Sequence, residues 1–218
     1  MKGWKVVLVI LLVLIADQVL KVSVKTSMYS GEEVSIIGNW FKFHFTENKG
    51  MAFGLELGGE MGKLALSLFR ILAVIGLGFI INKLIKEKAH WGLVLSVGLI
   101  LAGALGNIID SAFYGVIFEN SDIFMKNIAK PFPEEGGYAG FLHGNVVDMF
   151  YFPLFRFPSW VPWLGNTVFF GPIFNLADVS ISSGVFIILL FQKRFFSSVR
   201  QRVIDNSIEN TTNHGHDI

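Results

Sequence analysis

The sequence contains no cysteine among its 218 residues, and only 16% of its residues are charged. Without cysteine, the chain has no disulfide bond, no thiolate nucleophile and no cysteine-based metal site. The low charge argues against a water-soluble domain, in which roughly 25% of residues are charged. The net charge of +1 gives no reason to expect a nucleic-acid partner.

Two common hydrolase signatures are also missing from the sequence. It contains neither the G-x-S-x-G pattern of a serine hydrolase nor the H-E-x-x-H pattern of a zinc peptidase. We therefore expect no metal ion and no cofactor.

What the sequence does contain is apolar residues, which make up 52% of the chain and are concentrated in blocks. A bilayer core about 30 Å thick requires roughly 20 apolar residues in a helix. Four blocks approach that length: Val6–Val22, Leu64–Leu84, Trp91–Ile109 and Pro172–Phe191. The first block could alternatively be a cleaved signal peptide, since Lys2 and Lys5 precede it. The sequence predicts an all-α membrane protein with four transmembrane helices.

The basic residues indicate an orientation in the membrane. Lys83, Lys86 and Lys88 occupy the short link between the second and third spans, and other basic residues flank the first and fourth. With four spans, all of these segments lie on one side of the membrane, and short basic segments remain in the cytoplasm. Both termini are therefore expected to be cytoplasmic, with the long connections 23–63 and 110–171 facing outward.

The outer connections predict smaller elements. Apolar and polar residues alternate in Trp40–Phe45, which favours one or two strands within Val34–Leu55 and a small outward-facing β element. Phe155–Leu164 contains two tryptophans and is typical of the membrane interface. We expect one membrane domain, residues 1–204, followed by a polar, disordered tail, residues 205–218.

Four aspartates are predicted at the outer ends of spans, and these are Asp17, Asp110, Asp148 and Asp178. A charged side chain at the bilayer centre costs roughly 2.5–3.5 kcal/mol on insertion scales, so such residues usually have a partner or a function. Asp17 precedes Lys21 by one helical turn, which predicts an ion pair or a supporting role in a site. Asp110 shares a helix face with Asn107 in a segment rich in small residues, which predicts a polar clamp within a packing seam or a ligand contact.

Asp148 and Asp178 are the best candidates for acid–base chemistry. Asp148 has apolar and aromatic neighbours, and desolvation there raises the pKa of a carboxyl group. Asp178 stands where a helix N-cap or first-turn acid is expected. Two carboxyls that converge can share a proton, activate water and polarise a peptide carbonyl. Periodicity alone does not bring these two together.

Other classes of function remain open at this point. A small proton- or ion-coupled transporter could use Asp17, Asp110 and Asp178 as a path. The middle of each span is apolar, which disfavours a continuous path. A membrane scaffold would explain the outer loops but would give no reason for the buried acids.

Five separated motifs resemble those of the lipoprotein signal peptidase (signal peptidase II) family, in the family's order. They are Asp17–Lys21 (D-Q-x-x-K), Asn48–Gly54 (N-x-G-x-A-F-G), Gly103–Asp110 (G-A-x-G-N-x-x-D), Val146–Asp148 (V-V-D) and Phe174–Asp178 (F-N-x-A-D). The resemblance implies an aspartyl endopeptidase with Asp148 and Asp178 as its catalytic pair. It implies supporting or substrate-binding roles for Asp17, Lys21, Asn48, Gly50, Asn107, Asp110 and Asn175.

The resemblance also implies the substrate and the location. Lipid-modified prolipoproteins would be cut just before the lipidated cysteine, in the bacterial cytoplasmic (inner) membrane, with the active site toward the outer face. The expected partners are these substrates and membrane lipid, and the expected oligomeric state is a monomer.

The sequence departs from the family pattern in two ways. Ser111 stands where the family usually has arginine after the aspartate of G-N-x-x-D, and Arg70 in the second span is a candidate to supply that cation. The loops 115–144 and 155–171 are also longer than the pattern leads us to expect, which predicts a lid or an altered substrate range.

Overall fold

Four helices in the described residues are long and apolar enough to cross a membrane. The computed structural model describes residues 3–49, 51–52, 55–56 and 59–197, so the predicted tail 205–218 lies outside it. The helices are α1 (Gly3–Ser27), α2 (Gly59–Lys86), α3 (Trp91–Ile109, extended by the short α4, Gly115–Ile117) and α5 (Leu176–Phe195). The predicted four-helix membrane fold is confirmed at this level.

Helix α3 is the central helix of the bundle and packs against α1, α2 and α5. In the apolar stretch of this span, 56% of the residues are buried inside the protein. The corresponding share is 11–17% in the other three spans, whose apolar side chains are therefore available to lipid. Small residues allow this close packing, because a β-carbon at Gly103 would lie 2.2 Å from the Ala177 carbonyl oxygen of α5. The predicted small-residue seam therefore joins α3 to α5.

The third span continues past the residue at which the sequence predicted its end. A π-helical turn, Asp110–Tyr114, follows α3 directly and leads into α4. Buried Ser111 donates its hydroxyl proton to the Asn107 carbonyl oxygen (3.0 Å), and Tyr114 is buried against the sheet. The packing of this π-helical turn against the sheet explains why the helix continues beyond Ile109. Such turns occur frequently at functional sites.

The β element is larger than predicted. Its strands are β1 (Glu33–Ile37), β2 (Phe41–Asn48), β3 (Met51–Ala52), β4 (Leu55–Glu56), β5 (Val146–Tyr151), β6 (Phe155–Arg156) and β7 (Val168–Phe169). An antiparallel sheet has the order β1-β2-β5, while β3–β4 and β6–β7 are two-stranded. The sequence predicted one or two strands in Val34–Leu55, where the described residues form parts of four, and it did not predict β5.

A hydrophobic cluster attaches the sheet to the ends of α1 and α3. Its buried members are Val24, Met28, Phe45, Tyr114, Phe118, Val147 and Met149. Burying each large apolar side chain contributes about 1.5–3 kcal/mol. Because Val147 and Met149 belong to this cluster, the backbone of β5 is fixed on both sides of Asp148.

The β6–β7 hairpin carries the predicted interfacial segment. Phe155 and Phe169 stack across the hairpin with ring centroids 4.7 Å apart. In the loop that joins the two strands, Trp160 and Trp163 are 79% and 100% exposed. Exposed tryptophans of this kind suit the headgroup level of a bilayer.

Candidate active site

Asp148 lies in strand β5, and its side chain is 5% exposed. The sequence placed this residue at the end of a span, which was wrong. The strand forms because β2, about a hundred residues earlier, pairs with it, and Thr46 lies opposite Asp148 in the register. The Asp148 Oδ1 atom accepts a hydrogen bond from Asn175 Nδ2 at 2.6 Å.

Asp178 lies in the first turn of α5 and forms a capping box with Asn175. The Asn175 side chain accepts a hydrogen bond from the Asp178 backbone N–H (2.9 Å), and Asp178 Oδ2 accepts one from the Asn175 N–H (3.2 Å). The ordinary structural role expected of Asp178 is therefore present. Its other oxygen accepts a hydrogen bond from Asn107 Nδ2 at 3.0 Å, so the residue also joins a wider network.

Asn175 connects the two candidate catalytic carboxyls. Its side-chain amide donates to Asp148 and its backbone amide donates to Asp178. Asn175 is completely buried, and Asn107 Oδ1 lies 3.2 Å from its Nδ2. The arrangement brings together Asp148 and Asp178, whose convergence the sequence pattern could not establish.

The pKa of Asp148 is raised from 3.8 to about 8. Burial is the main cause, since it disfavours the charged form, and the nearby charge of Asp178 adds to it. The hydrogen bond from Asn175 and the charge of Lys21 act in the opposite direction. Asp148 therefore holds a proton at neutral pH.

Lys21 is fully buried, and each of its three ammonium protons has an acceptor. Lys21 Nζ lies 3.0 Å from Asp17 Oδ2, 2.8 Å from Asp110 Oδ2 and 2.9 Å from Asn107 Oδ1. The predicted Asp17–Lys21 ion pair is present. Asp17 also accepts a hydrogen bond from the Ala177 backbone N–H (2.8 Å), at the start of α5. A buried ammonium is tolerated because its hydrogen-bonding capacity is satisfied.

Asp110 connects this cluster to the strand that carries Asp148. Its Oδ2 accepts a hydrogen bond from the Val147 N–H at 3.2 Å, and its Oδ1 accepts one from Gln18 Nε2 at 3.0 Å. Gln18 in turn accepts a hydrogen bond from the Tyr114 hydroxyl (3.2 Å). Gln18 was not among the predicted site residues, although the D-Q-x-x-K motif contains it.

Arg70 of α2 contacts Ser111, the residue that departs from the family pattern. Arg70 Nη1 donates to Ser111 Oγ at 3.0 Å. The guanidinium also interacts electrostatically with Asp178, Asp110 and Asp148. A cation therefore lies beside position 111, although it comes from a different helix.

A small cleft of about 10 Å³ opens beside this contact. Its lining includes Asn48, Lys63, Arg70, Ser111 and Val146. Asn48 lies at the end of β2, opposite Val146 in the register. Gly50, the other predicted site residue of that motif, lies outside the described residues. Across the described part of the chain, no group of three or more histidine or acidic residues is arranged to hold a metal ion.

The fold is similar to that of two solved structures. A solved structure of a bacterial membrane enzyme superposes with a TM-score of 0.57 at 23% identity, covering 89% of this chain and 90% of that one. A second such structure gives a TM-score of 0.56 at 24% identity. At this identity the likeness shows the fold alone.

Sequence comparison identifies the family. A family model described as signal peptidase (SPase) II matches residues 9–194. The lipoprotein signal peptidase of Porphyromonas gingivalis is 48% identical over 201 residues, covering 90% of this chain and 86% of that protein. That of Amoebophilus asiaticus is 40% identical over 209 residues, covering 93% and 82%. The chain belongs to the signal peptidase II family and is therefore a membrane peptidase, which argues against the transporter alternative.

Proposed function

We propose that this protein is an aspartyl endopeptidase that removes the signal peptide from diacylglyceryl-modified prolipoproteins by cutting before the lipidated cysteine. The observation that carries the proposal is the bridge that Asn175 makes between Asp148 and Asp178. Asp148 is buried, Asp178 is partly buried, and the charge of Asp178 acts on Asp148, which suits two carboxyls that share a proton. Family membership and the names of the relatives support the substrate class.

The two carboxyls have different tasks in the proposed reaction. Asp148, which holds a proton at neutral pH, donates a hydrogen bond to the scissile carbonyl oxygen. Both oxygens of Asp178 accept hydrogen bonds from N–H donors, which suits a carboxylate. Asp178 takes a proton from water while the water oxygen attacks the carbonyl carbon. A proton then passes to the amide nitrogen, the C–N bond breaks, and the mature protein leaves with a free amino group.

Arg70 supports the substrate in this proposal. Its guanidinium lies beside Ser111 at the edge of the cleft that Asn48 lines. A guanidinium can donate to backbone or ester carbonyl oxygens through several N–H groups. We assign it the place of the arginine that the family usually carries at the position of Ser111.

The proposed location is the cytoplasmic membrane, with both termini in the cytoplasm and the sheet near the outer leaflet. The basic link between α2 and α3 and the basic end of α5, with Lys193 and Arg194, support this orientation. The exposed Trp160 and Trp163 support contact of the β6–β7 hairpin with the membrane surface. A substrate cysteine would then meet the dyad where the signal helix leaves the bilayer.

The test is cleavage of a synthetic diacylglyceryl-modified prolipoprotein by the purified protein in detergent, with products identified by mass spectrometry. We expect a single cut before the lipidated cysteine that persists in the presence of a chelator. Asp148→Asn and Asp178→Asn should lower kcat by at least about 10³-fold. Glu87→Gln, an exposed residue in the short link between α2 and α3, is the control and should retain activity. Normal cleavage by either dyad variant would remove that residue from the catalytic role.

A further inference from the structure

Lys25 is a second fully buried lysine on α1, one turn beyond Lys21, and it belongs to none of the five motifs. Its ammonium forms an ion pair with Glu47 of β2 and donates a hydrogen bond to Ser121 Oγ at 3.0 Å. It also lies 5.1 Å from the centre of the Tyr138 ring. A buried charge is destabilising unless it is paired and hydrogen-bonded in this way, so the partners of Lys25 are required for its burial.

Glu47 connects Lys25 to Asn145, the residue that precedes strand β5. Its second carboxylate oxygen accepts a hydrogen bond from Asn145 Nδ2 at 2.8 Å. The oxygen of the Asn145 side chain accepts one from Lys63 Nζ of α2 at 2.8 Å. The backbone N–H of Asn145 donates to the Tyr138 hydroxyl oxygen at 2.7 Å. Asn145 is thus fixed by three different parts of the chain.

Strand β5 is therefore held at its start by two parallel arrangements. In one, Lys21 holds Asp110, which accepts the Val147 N–H. In the other, Lys25 holds Glu47, which holds Asn145. The candidate catalytic Asp148 follows directly, and Glu47 is the register partner of Val147. The family motifs account for the first arrangement and leave the second without a role.

We propose that Lys25, Glu47 and Asn145 form a clamp that positions Asp148, and that the inserted loop 115–144 is a part of it through Ser121 and Tyr138. This inference rests on the proposed function. None of the three is expected to touch the reacting atoms, so each is a positioning residue. The long loop thereby contributes to positioning Asp148, since Ser121 and Tyr138 contact the Lys25 ammonium.

The first experiment compares kcat and KM for Lys25→Met, Glu47→Gln and the double variant. A displacement of about 1 Å at a reacting group lowers the rate on the order of 10²-fold, so we expect kcat to fall about 10- to 100-fold. KM should change much less, because the substrate contacts lie elsewhere. The double variant should lose little more than either single variant, since both changes release the same strand.

The matched control is the ion pair between Lys42 and Glu33 in the same sheet. Its atoms lie 2.9 Å apart, but the two side chains are 24% and 38% exposed. The double variant Lys42→Met with Glu33→Gln should leave kcat unchanged, because exposed pairs of this kind contribute little. Lys25→Arg, which keeps the charge, should retain more activity than Lys25→Met. Lys25→Met or Glu47→Gln alone leaves a buried charge without its partner, so such a variant could fail to fold. The double variant Lys25→Met/Glu47→Gln removes both charges.

The second experiment is hydrogen exchange of the wild type and the Lys25→Met/Glu47→Gln variant, which does not depend on cleavage. We expect faster exchange in the segments 118–144 and 145–151, with unchanged exchange in α5. Unchanged exchange in both segments, or a folded double variant with wild-type kcat, would overturn the clamp. If the wild type fails to cleave, the proposed function is wrong, and the exchange result still decides whether the clamp exists.

Discussion

Asp148→Asn is expected to stabilise the folded protein at neutral pH, even though we also expect it to abolish cleavage. The Asp148 carboxyl is 5% exposed, and its pKa is raised from 3.8 to about 8, chiefly by burial. In the unfolded chain the same group has a pKa of about 3.9. Asparagine keeps an oxygen that can accept the hydrogen bond from Asn175 Nδ2, and it has no proton to lose.

The size of the effect follows from this difference in pKa. Between about pH 4 and pH 8, the folded wild type keeps a proton that the unfolded chain releases. Raising the pH therefore lowers the free energy of unfolding of the wild type by about 1.4 kcal/mol per pH unit in that window. Below it both states are protonated, above it both are ionised, and the slope vanishes. The variant lacks this slope and should gain about 3 kcal/mol relative to wild type from pH 5 to pH 7.

The assay is equilibrium unfolding in mixed micelles at a series of pH values from 4 to 9, carried out on both proteins. Glu134→Gln is the control, because position 134 is in an exposed loop where water reaches the carboxyl in both states. The stability of Asp148→Asn relative to wild type should rise with pH, and that of Glu134→Gln should not. A relative stability that is flat, or that rises as the pH falls, would refute the reasoning from burial.

Two further predictions concern the chemistry. Arg70→Gln should lower kcat/KM about 10²-fold by removing the donor beside the dyad; Ser111→Arg in that background should restore part of the loss, because Arg70 Nη1 lies 3.0 Å from Ser111 Oγ. No recovery would show that position 111 cannot present a cation to the site. The pH profile of kcat should fall above about pH 8, approaching about tenfold per pH unit, as Asp148 loses its proton. A rate that stays flat to about pH 10 would contradict the acid role of Asp148.

The helices could be predicted because the signal for a membrane span is local. Long apolar runs placed all four spans, and the third prediction, Trp91–Ile109, coincides with α3. The fourth was predicted to begin at Pro172, yet α5 begins at Leu176, because Asn175 caps it. The π-helical turn after α3 depends on packing against the sheet, and nothing in Asp110–Tyr114 alone indicates it.

The sheet and the convergence of the carboxyls could not be predicted by the same means. Strand β5 lacks a clear alternation, since the four residues from Val146 to Met149 are all buried. Its partner β2 is remote in sequence, so only tertiary contacts select the strand. For Asp148 and Asp178, the family motifs supplied an expectation that periodicity could not. The Lys25–Glu47 pair had no sequence signal, because its members are 22 residues apart and lie in elements of different type.

The contact between Arg70 and Ser111 has a consequence for how relatives of this protein are compared. The family pattern leads us to expect arginine at position 111, where this chain has Ser111, whereas Arg70 belongs to a different helix. In space, a guanidinium still stands beside the same turn of the same helix. A side chain of a neighbouring helix can thus place a positive charge beside a position that has none in the sequence. Essential residues of this family are therefore better compared by their positions in the folded structure than by their positions in the aligned sequences.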